Sequence, residues 1–238
     1  MTNDITLQEA IVPASGSVYR FKDDPYSSHT AMLKLAGSGQ GRRLLDVGAA
    51  DGFLARRFAQ QGWQVTAIEQ DAQLASQARP FCEEVVVSDL NQQVPSVRGP
   101  FGAIVYGDVL EHLVAPEAVF QRLNESLAED GMVIVSMPNV AHLWVRLCLL
   151  VGRFDYTSRG ILDETHLRFF TLKTFRQFLR RTQLHVEEFM PIPAPLFLAV
   201  PPRFQGRWLR LAQWLNALGA RWWPTGMAAQ FVVKGYRR

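Results

Sequence analysis

Apolar positions along this chain fall into two alternating rhythms. Short apolar runs at 44–47, 62–68, 85–87, 101–106 and 131–136 are rich in Val, Ile and Leu and read as buried strands. Between them, at 53–59 and 116–128, apolar residues return every three or four positions, as in a helix; Pro116 opens the second, where its missing N–H is harmless. A further helix runs to Leu35, with Ser27 or Ser28 as its N-cap and the Gly-rich stretch 37–41 as its stop. Strands that alternate with helices predict an α/β fold with a parallel, doubly wound sheet and right-handed crossovers. Ligands of such sheets bind at the carboxyl ends of the strands.

Past the fifth strand the rhythm changes. A nearly all-apolar helix at 143–150 precedes a polar stretch at 152–160, and Thr171 or Thr174 can cap a helix at 175–181. Two more strands follow, at 184–189 and 230–236. Between them lie about forty residues rich in Pro and Trp, long for a connection in a compact domain and therefore a candidate functional segment. Residues 1–24 read as an irregular arm, and 25–238 as one domain carrying an insertion at 191–226.

The strand ends carry the chemistry. The first strand runs through Asp46 into Gly48, Ala50 and Gly52, a turn whose glycines allow close backbone approach to a ligand. The helix start that follows offers free N–H groups to an anion. Glu69 ends the second strand, 17 residues past Gly52, where a carboxylate can accept both hydroxyls of a ribose. Asp89 and Leu90 end the third.

Composition narrows the class without naming it. A chain of 238 residues that is 48% hydrophobic can bury a sizeable core. Cys82 and Cys148 offer neither a disulfide framework nor a metal spacing, which fits a reducing, cytoplasmic setting, and the N-terminus lacks the features of a secretion signal. The net charge of +3 hides an asymmetry: from Phe189 onward there are seven bases and no acid. The remainder has 25 − 7 = 18 bases against 22 acids, so the body offers no broad basic face and nucleic acid is disfavoured as a partner.

The pattern Asp46-x-Gly48-x-Ala50-x-Gly52, followed by acids at the next two strand ends, resembles the motifs of class I S-adenosylmethionine (SAM) methyltransferases. That resemblance implies a Rossmann-like, mostly parallel seven-stranded sheet with an antiparallel hairpin at its edge, and SAM as the cofactor. It also implies that Asp46 and the Gly48-Ala50-Gly52 turn face the amino-acid part of SAM and Glu69 its ribose. Asp89 would face the adenine amino group, Leu90 would pack on the ring, and Asp108 would lie beside the methionine. The first helix would close over the cofactor.

Glu111 and His112, after the fourth strand, resemble a bacterial subset that includes the ubiquinone-biosynthesis O-methyltransferases, in which such a pair points into the acceptor cleft. His166-x-x-Phe169-x-Thr171 is also similar to the small-RNA 3′-end 2′-O-methyltransferases, which hold a divalent metal with a Glu-His pair and a His in this segment. Glu111, His112 and His166 match that set, with Asp108 as a further carboxylate. Sugar- and polysaccharide-associated methyltransferases share the signature around 152–156 and 166–171 without known metal use. The reading adopted is metal-free, with Glu111, His112 and His166 as the catalytic set and a His as general base.

The resemblance thus implies methyl transfer to an oxygen, or a nitrogen, of a small-molecule, glycan or lipid-linked acceptor. The alternative is a non-catalytic SAM-binding partner similar to methionine-biosynthesis accessory proteins. His142 could reach the same cleft, and Arg153, Arg159 and Arg168 could clamp an anionic acceptor or form a solvated loop. In the insertion, Trp208, Leu211, Leu215 and Leu218 share a helical face opposite Arg210, Gln213 and Asn216. That face fits either peripheral contact with an anionic membrane, at the inner face, or a lid packed on the protein's own core.

Overall fold

The computed structural model describes residues 24–237, so the arm expected at 1–24 lies, but for Asp24, outside the described residues. Seven strands, β1 (Arg43–Val47), β2 (Gln64–Glu69), β3 (Glu84–Val87), β4 (Phe101–Tyr106), β5 (Leu127–Pro138), β6 (Leu184–Pro193) and β7 (Ala228–Arg237), form one sheet in the order β3-β2-β1-β4-β5-β7-β6. The five from β3 to β5 are parallel, and β7 runs antiparallel to both of its neighbours. This is the Rossmann-like α/β sheet with an antiparallel edge hairpin that the sequence leads one to expect.

Helices α1 (Ser28–Ala36), α2 (Phe53–Gln60), α3 (Ala72–Ala78), α4 (Pro116–Asn124), α5 (Leu143–Leu150) and α6 (Leu172–Arg181) connect or follow the strands. Ser27 caps α1 by accepting from the Thr30 N–H at 3.1 Å. Thr171 and Thr174 form a reciprocal capping box, so α6 starts at Leu172, earlier than the apolar spacing alone suggests. The central strands are buried on both faces, as parallel strands under helices must be. Along β4, Ile104 and Tyr106 join the Phe120, Phe175 and Phe178 core, whereas Ala103 and Val105 join that of Met32, Leu54 and Phe58. Period-two alternation thus divides one strand between two cores.

The helix expected over 116–128 stops at Asn124. Leu127 continues the helical spacing but instead pairs with Phe101, opening β5 across an irregularity in register before Met132 meets Ala103. A Cβ on Gly131 would lie 2.7 Å from Leu127 Cγ, so glycine is what lets the strand turn there. The free edge of β4 outcompetes further helical turns.

Residues 194–227 form α7 (Leu196–Ala199), α8 (Arg207–Trp222) and α9 (Pro224–Met227). Pro193 pairs with Ala228 and Pro138 with Gln230, so this insertion leaves and re-enters the sheet at the carboxyl edge of β5. Of the two alternatives for the Trp-Leu face of α8, packing on the protein's own core is not what the structure has: the face points outward. Leu209, Gln213 and Ala220 are buried, while Trp208, Leu211, Trp214 and Leu215 are exposed. Gln213 Oε1 accepts from the Leu196 N–H at 3.1 Å, and Asn216 Nδ2 donates to the Ala194 carbonyl at 2.8 Å. The irregular backbone at 194–196 needs polar partners, and the amide face of α8 supplies them.

Candidate active site

Tight backbone geometry shapes the cofactor end. Gly48, Ala50 and Gly52 all take left-handed conformations, with φ of 73°, 49° and 81°. A Cβ on Gly48 would approach Val109 Cγ2 to 2.9 Å, and one on Gly52 would approach Ala78 Cα to 2.8 Å. Ala50 pays a steric cost in this conformation, and Glu69 holds it there: Glu69 Oε2 accepts from the Ala50 N–H at 2.8 Å. Glu69 Oε1 accepts from the Asp71 N–H at 3.0 Å, and each oxygen retains a second lone pair.

Asp46 is buried at the end of β1, and its Oδ2 has no hydrogen-bond partner. Burial, with Glu69 nearby, raises its pKa from 3.8 to about 7. An orphaned buried carboxyl beside a glycine cradle fits a ligand that brings a cation and polar groups of its own, as the amino-acid end of SAM does. Cys82 lies within reach of the same field, and burial with Asp46 pushes its thiol up to about 12, which leaves it unreactive. Asp89 is drawn into its own turn, accepting from the Asn91 N–H and from Gln92 Nε2, both at 2.9 Å. Leu90 is buried against the core that contains Ile68.

At the end of β4 the chain turns through Asp108, whose φ is +56°. Ser136 Oγ donates to Asp108 Oδ1 at 2.5 Å, Gln230 Nε2 donates to the same oxygen, and Gln230 also donates to Ser136 Oγ at 2.7 Å. β4, β5 and β7 therefore meet at one carboxylate. Neither Ser136 nor Gln230 was singled out from the sequence. The available signal was a polar side chain in the otherwise apolar run from Ala228 to Val233.

One turn later, a 3₁₀ segment (Leu110–His112) presents the acceptor-side groups. The Glu111 carbonyl accepts from the N–H groups of Leu167 and Arg168 at 2.9 and 3.0 Å, stitching the 161–168 loop onto this turn. Glu111 is 1% exposed and its Oε2 has no partner. Burial first, and then Asp108, raise its carboxyl well above the usual range. His166 Nε2 stands 3.9 Å from Glu111 Oε1, too far for a hydrogen bond. The His112 and His166 rings meet edge to face at 4.8 Å between centroids. The metal-ligating atoms of Glu111, His112 and His166 all lie within 4.8 Å of one another.

The partners of each ring fix its tautomer. His112 Nδ1 lies 3.1 Å from the Thr165 carbonyl and His166 Nδ1 lies 3.2 Å from that of Ile161. A carbonyl can only accept, and the Thr165 hydroxyl, also 3.1 Å from His112 Nδ1, donates its own O–H to Asp163 Oδ1 at 2.6 Å, so each Nδ1 carries a proton and Nε2 is the atom that holds the lone pair of the neutral ring. Burial, then His112, lowers the pKa of His166 below 6.5, which holds it neutral. Phe169 and the Phe154–Tyr156 pair continue this cluster, with Phe169 6.0 Å from the His166 ring and 5.7 Å from Phe154.

Other candidates are placed elsewhere. Arg168 donates to the carbonyls of Leu113 and Val114 and so braces the turn. Arg153 forms an exposed fork with Asp155. His142 caps α5, its Nδ1 accepting from the Trp144 N–H at 3.2 Å.

The sequence model of the methyltransferase-domain family matches residues 24–188. The chain is 26% identical to a ubiquinone biosynthesis O-methyltransferase of Caulobacter sp. (strain K31) over 182 residues, 73% of this chain and 68% of that protein. It is 30% identical over 159 residues to the enzyme of the same name from Xylella fastidiosa (strain 9a5c), covering 62% of this chain and 63% of that relative's length. Magnesium protoporphyrin IX methyltransferase from Synechocystis PCC 6803, solved with bound SAH, shares the fold at a TM-score of 0.58 and 14% identity, with 89% of this chain and 82% of that one covered. The glycine cradle, the strand-end acids and these matches lead to one statement: the chain belongs to the class I SAM-dependent methyltransferases, and S-adenosylmethionine is its cofactor.

Proposed function

We propose that this enzyme methylates a hydroxyl oxygen of a small, amphiphilic acceptor, a lipid-linked or ring-bearing molecule, with His166 or His112 taking the proton. One observation carries the reading: both imidazoles are pinned through Nδ1–H to backbone carbonyls, which leaves Nε2 as the basic atom of each neutral ring, and a nitrogen of each lies within 4.8 Å of a buried carboxyl. Bound SAM supplies an electrophilic methyl group. The chain's part is to hold the acceptor in line, exclude water and remove the hydroxyl proton. That proton passes from oxygen to imidazole Nε2, and the Glu111 carboxyl beside His166 then faces an imidazolium it can stabilise. Phe154, Tyr156 and Phe169, packed edge to face or tilted, provide an aromatic wall for the acceptor. Ubiquinone and sugar methylation are both consistent with such a wall. A non-catalytic SAM-binding role is disfavoured by this converged set, which would otherwise hold a buried unpaired acid for no purpose.

A second reading is favoured by Glu111 Oε2, which is buried and unpartnered. Two neutral imidazoles and a carboxylate suit Mg²⁺, Mn²⁺ or Fe²⁺. Such an ion would be held by Glu111, His112 and His166 and would lower the pKa of a bound acceptor hydroxyl. Asp108 takes no part in that group and is engaged by Ser136 and Gln230.

Assaying methyl transfer to catechols, hydroxylated lipids and glycosides tests the main reading. Turnover unaffected by chelator, but abolished in the double variant His112→Ala, His166→Ala, supports a protein base. Loss with chelator and recovery with Mg²⁺ or Mn²⁺ supports the ion, and full activity of the double variant removes both readings. The insertion at 191–226 is proposed to bring the enzyme to an anionic membrane, at the inner face. Among the described residues no helix is long and apolar enough to cross a bilayer.

A further inference from the structure

Three helices near the ligand edge of the sheet leave an apolar and basic surface uncovered. At α5, Trp144, Leu150 and the following Val151 are 68, 81 and 73% exposed, and Leu147 and Leu149 are exposed beside them. On α8 the outward residues are Trp208, Leu211, Trp214, Leu215 and Trp222, the last 85% exposed. The two stretches meet at Thr225, just past α8, whose carbonyl accepts from Arg146 of α5 and from Asn139 Nδ2, each at 3.3 Å. Thr225 also closes a cavity of about 320 Å³ whose other walls are Leu172, Lys173, Arg176, Gln177 and Arg180 of α6.

We propose that α5, α6 and the α8–α9 segment form one docking surface for an anionic phospholipid bilayer, with Lys173, Arg176 and Arg180 receiving a headgroup phosphate at the Thr225 cavity. The proposal rests on the membrane reading of the insertion and extends it to two helices outside that segment. Charge argues for the occupant. Neither α5 nor α6 contains an acid, and none occurs from Phe189 onward, so the charges these elements themselves carry are all positive: Arg146 of α5, the four bases of α6, and Arg207, Arg210 and Arg221 of α8. A second copy of the same surface would set these cations against one another. Tryptophan and arginine around an apolar face are what the headgroup boundary accommodates, and apolar patches of this extent mark contact surfaces. The insertion leaves the sheet at the edge where Asp108 and the histidine pair lie, so docking would hold the acceptor cleft close to the lipid.

The test is co-sedimentation of the full chain with vesicles of phosphatidylglycerol and phosphatidylcholine, against phosphatidylcholine alone, alongside light scattering without lipid. The chain should bind the anionic vesicles, less tightly as salt rises. Arg176→Ala with Arg180→Ala should weaken binding roughly 30-fold, each cation at an anionic surface being worth about a factor of five. Leu150→Asp with Val151→Asp should abolish it, while both variants keep wild-type SAM affinity by calorimetry. If the wild type binds and both pairs bind equally well, α5 and α6 are not part of the surface and only the insertion reading survives. If the wild type binds no vesicle, both readings fall, and a dimer broken by the Leu150 and Val151 changes would assign the surface to a second copy instead.

Discussion

Glu111 and His166, 55 positions apart in the chain, face each other across 3.9 Å with side chains 1 and 5% exposed. The distance is too long for a hydrogen bond, and the surroundings are too dry for an unpaired carboxylate. Burial therefore favours the uncharged form of each, raising the Glu111 carboxyl and lowering the His166 imidazole, so an imidazolium or a cation formed there would draw Glu111 toward its ionised form.

If His166 is the base, kcat/KM should rise with pH and level off with a midpoint below 6.5, because burial and His112 favour the neutral ring. His166→Ala should lower turnover by about 10²–10⁴-fold with SAM affinity intact. A profile unchanged in that variant would assign the proton to another group.

Asp46 sets a stability trend. Its pKa is raised in the fold from 3.8 to about 7, so the protonated form is favoured by folding. That contribution is complete below pH 3.8 and is lost as pH rises toward 7. Asp46→Asn should gain on the wild type in urea unfolding between pH 5 and 7.5. Parallel curves for the two proteins would refute the assignment.

Gly52→Ala should weaken SAM binding and lower Tm, since its Cβ would strike the backbone of Ala78 at 2.8 Å. Gly37→Ala is the control: its φ is +62° but nothing lies within 4 Å. At φ +62° and ψ −155° the control carries only the cost of a backbone region that glycine nearly monopolises, about 1–3 kcal/mol, or roughly 2–12 °C in Tm, and should leave SAM affinity unchanged. Equal losses in both variants would mean that α3 yields freely.

Gln230→Ala removes one of the two side chains that bond Asp108 Oδ1. With Asp108 expected beside the methionine of SAM, affinity should fall about tenfold, a hydrogen bond to a charged group being worth roughly 1.5–3 kcal/mol. Gln230→Glu should be worse, because it sets a second acid against Asp108. Unchanged SAM binding in both variants would leave the network a purely structural clasp.

The linear sequence by itself determined the strands, their order of appearance and the acids at their ends. Val47, Ile68 and Val105 must leave water whatever surrounds them, and a buried parallel strand writes that need as a continuous run. It determined Gly48 and Gly52 as well, because backbone conformation is a local property. Glu111, His112 and His166 were legible through resemblance as one set, but the local geometry that brings them together was not. That depends on the Glu111 carbonyl capturing Leu167 and Arg168, and on carbonyls at 161 and 165 choosing which ring nitrogen holds the proton. The same limit explains α8. Helical periodicity finds a Trp-Leu face, yet which face turns inward was decided by the unpaired backbone at Ala194 and Leu196, which drew Asn216 and Gln213 toward the sheet and left the tryptophans outside.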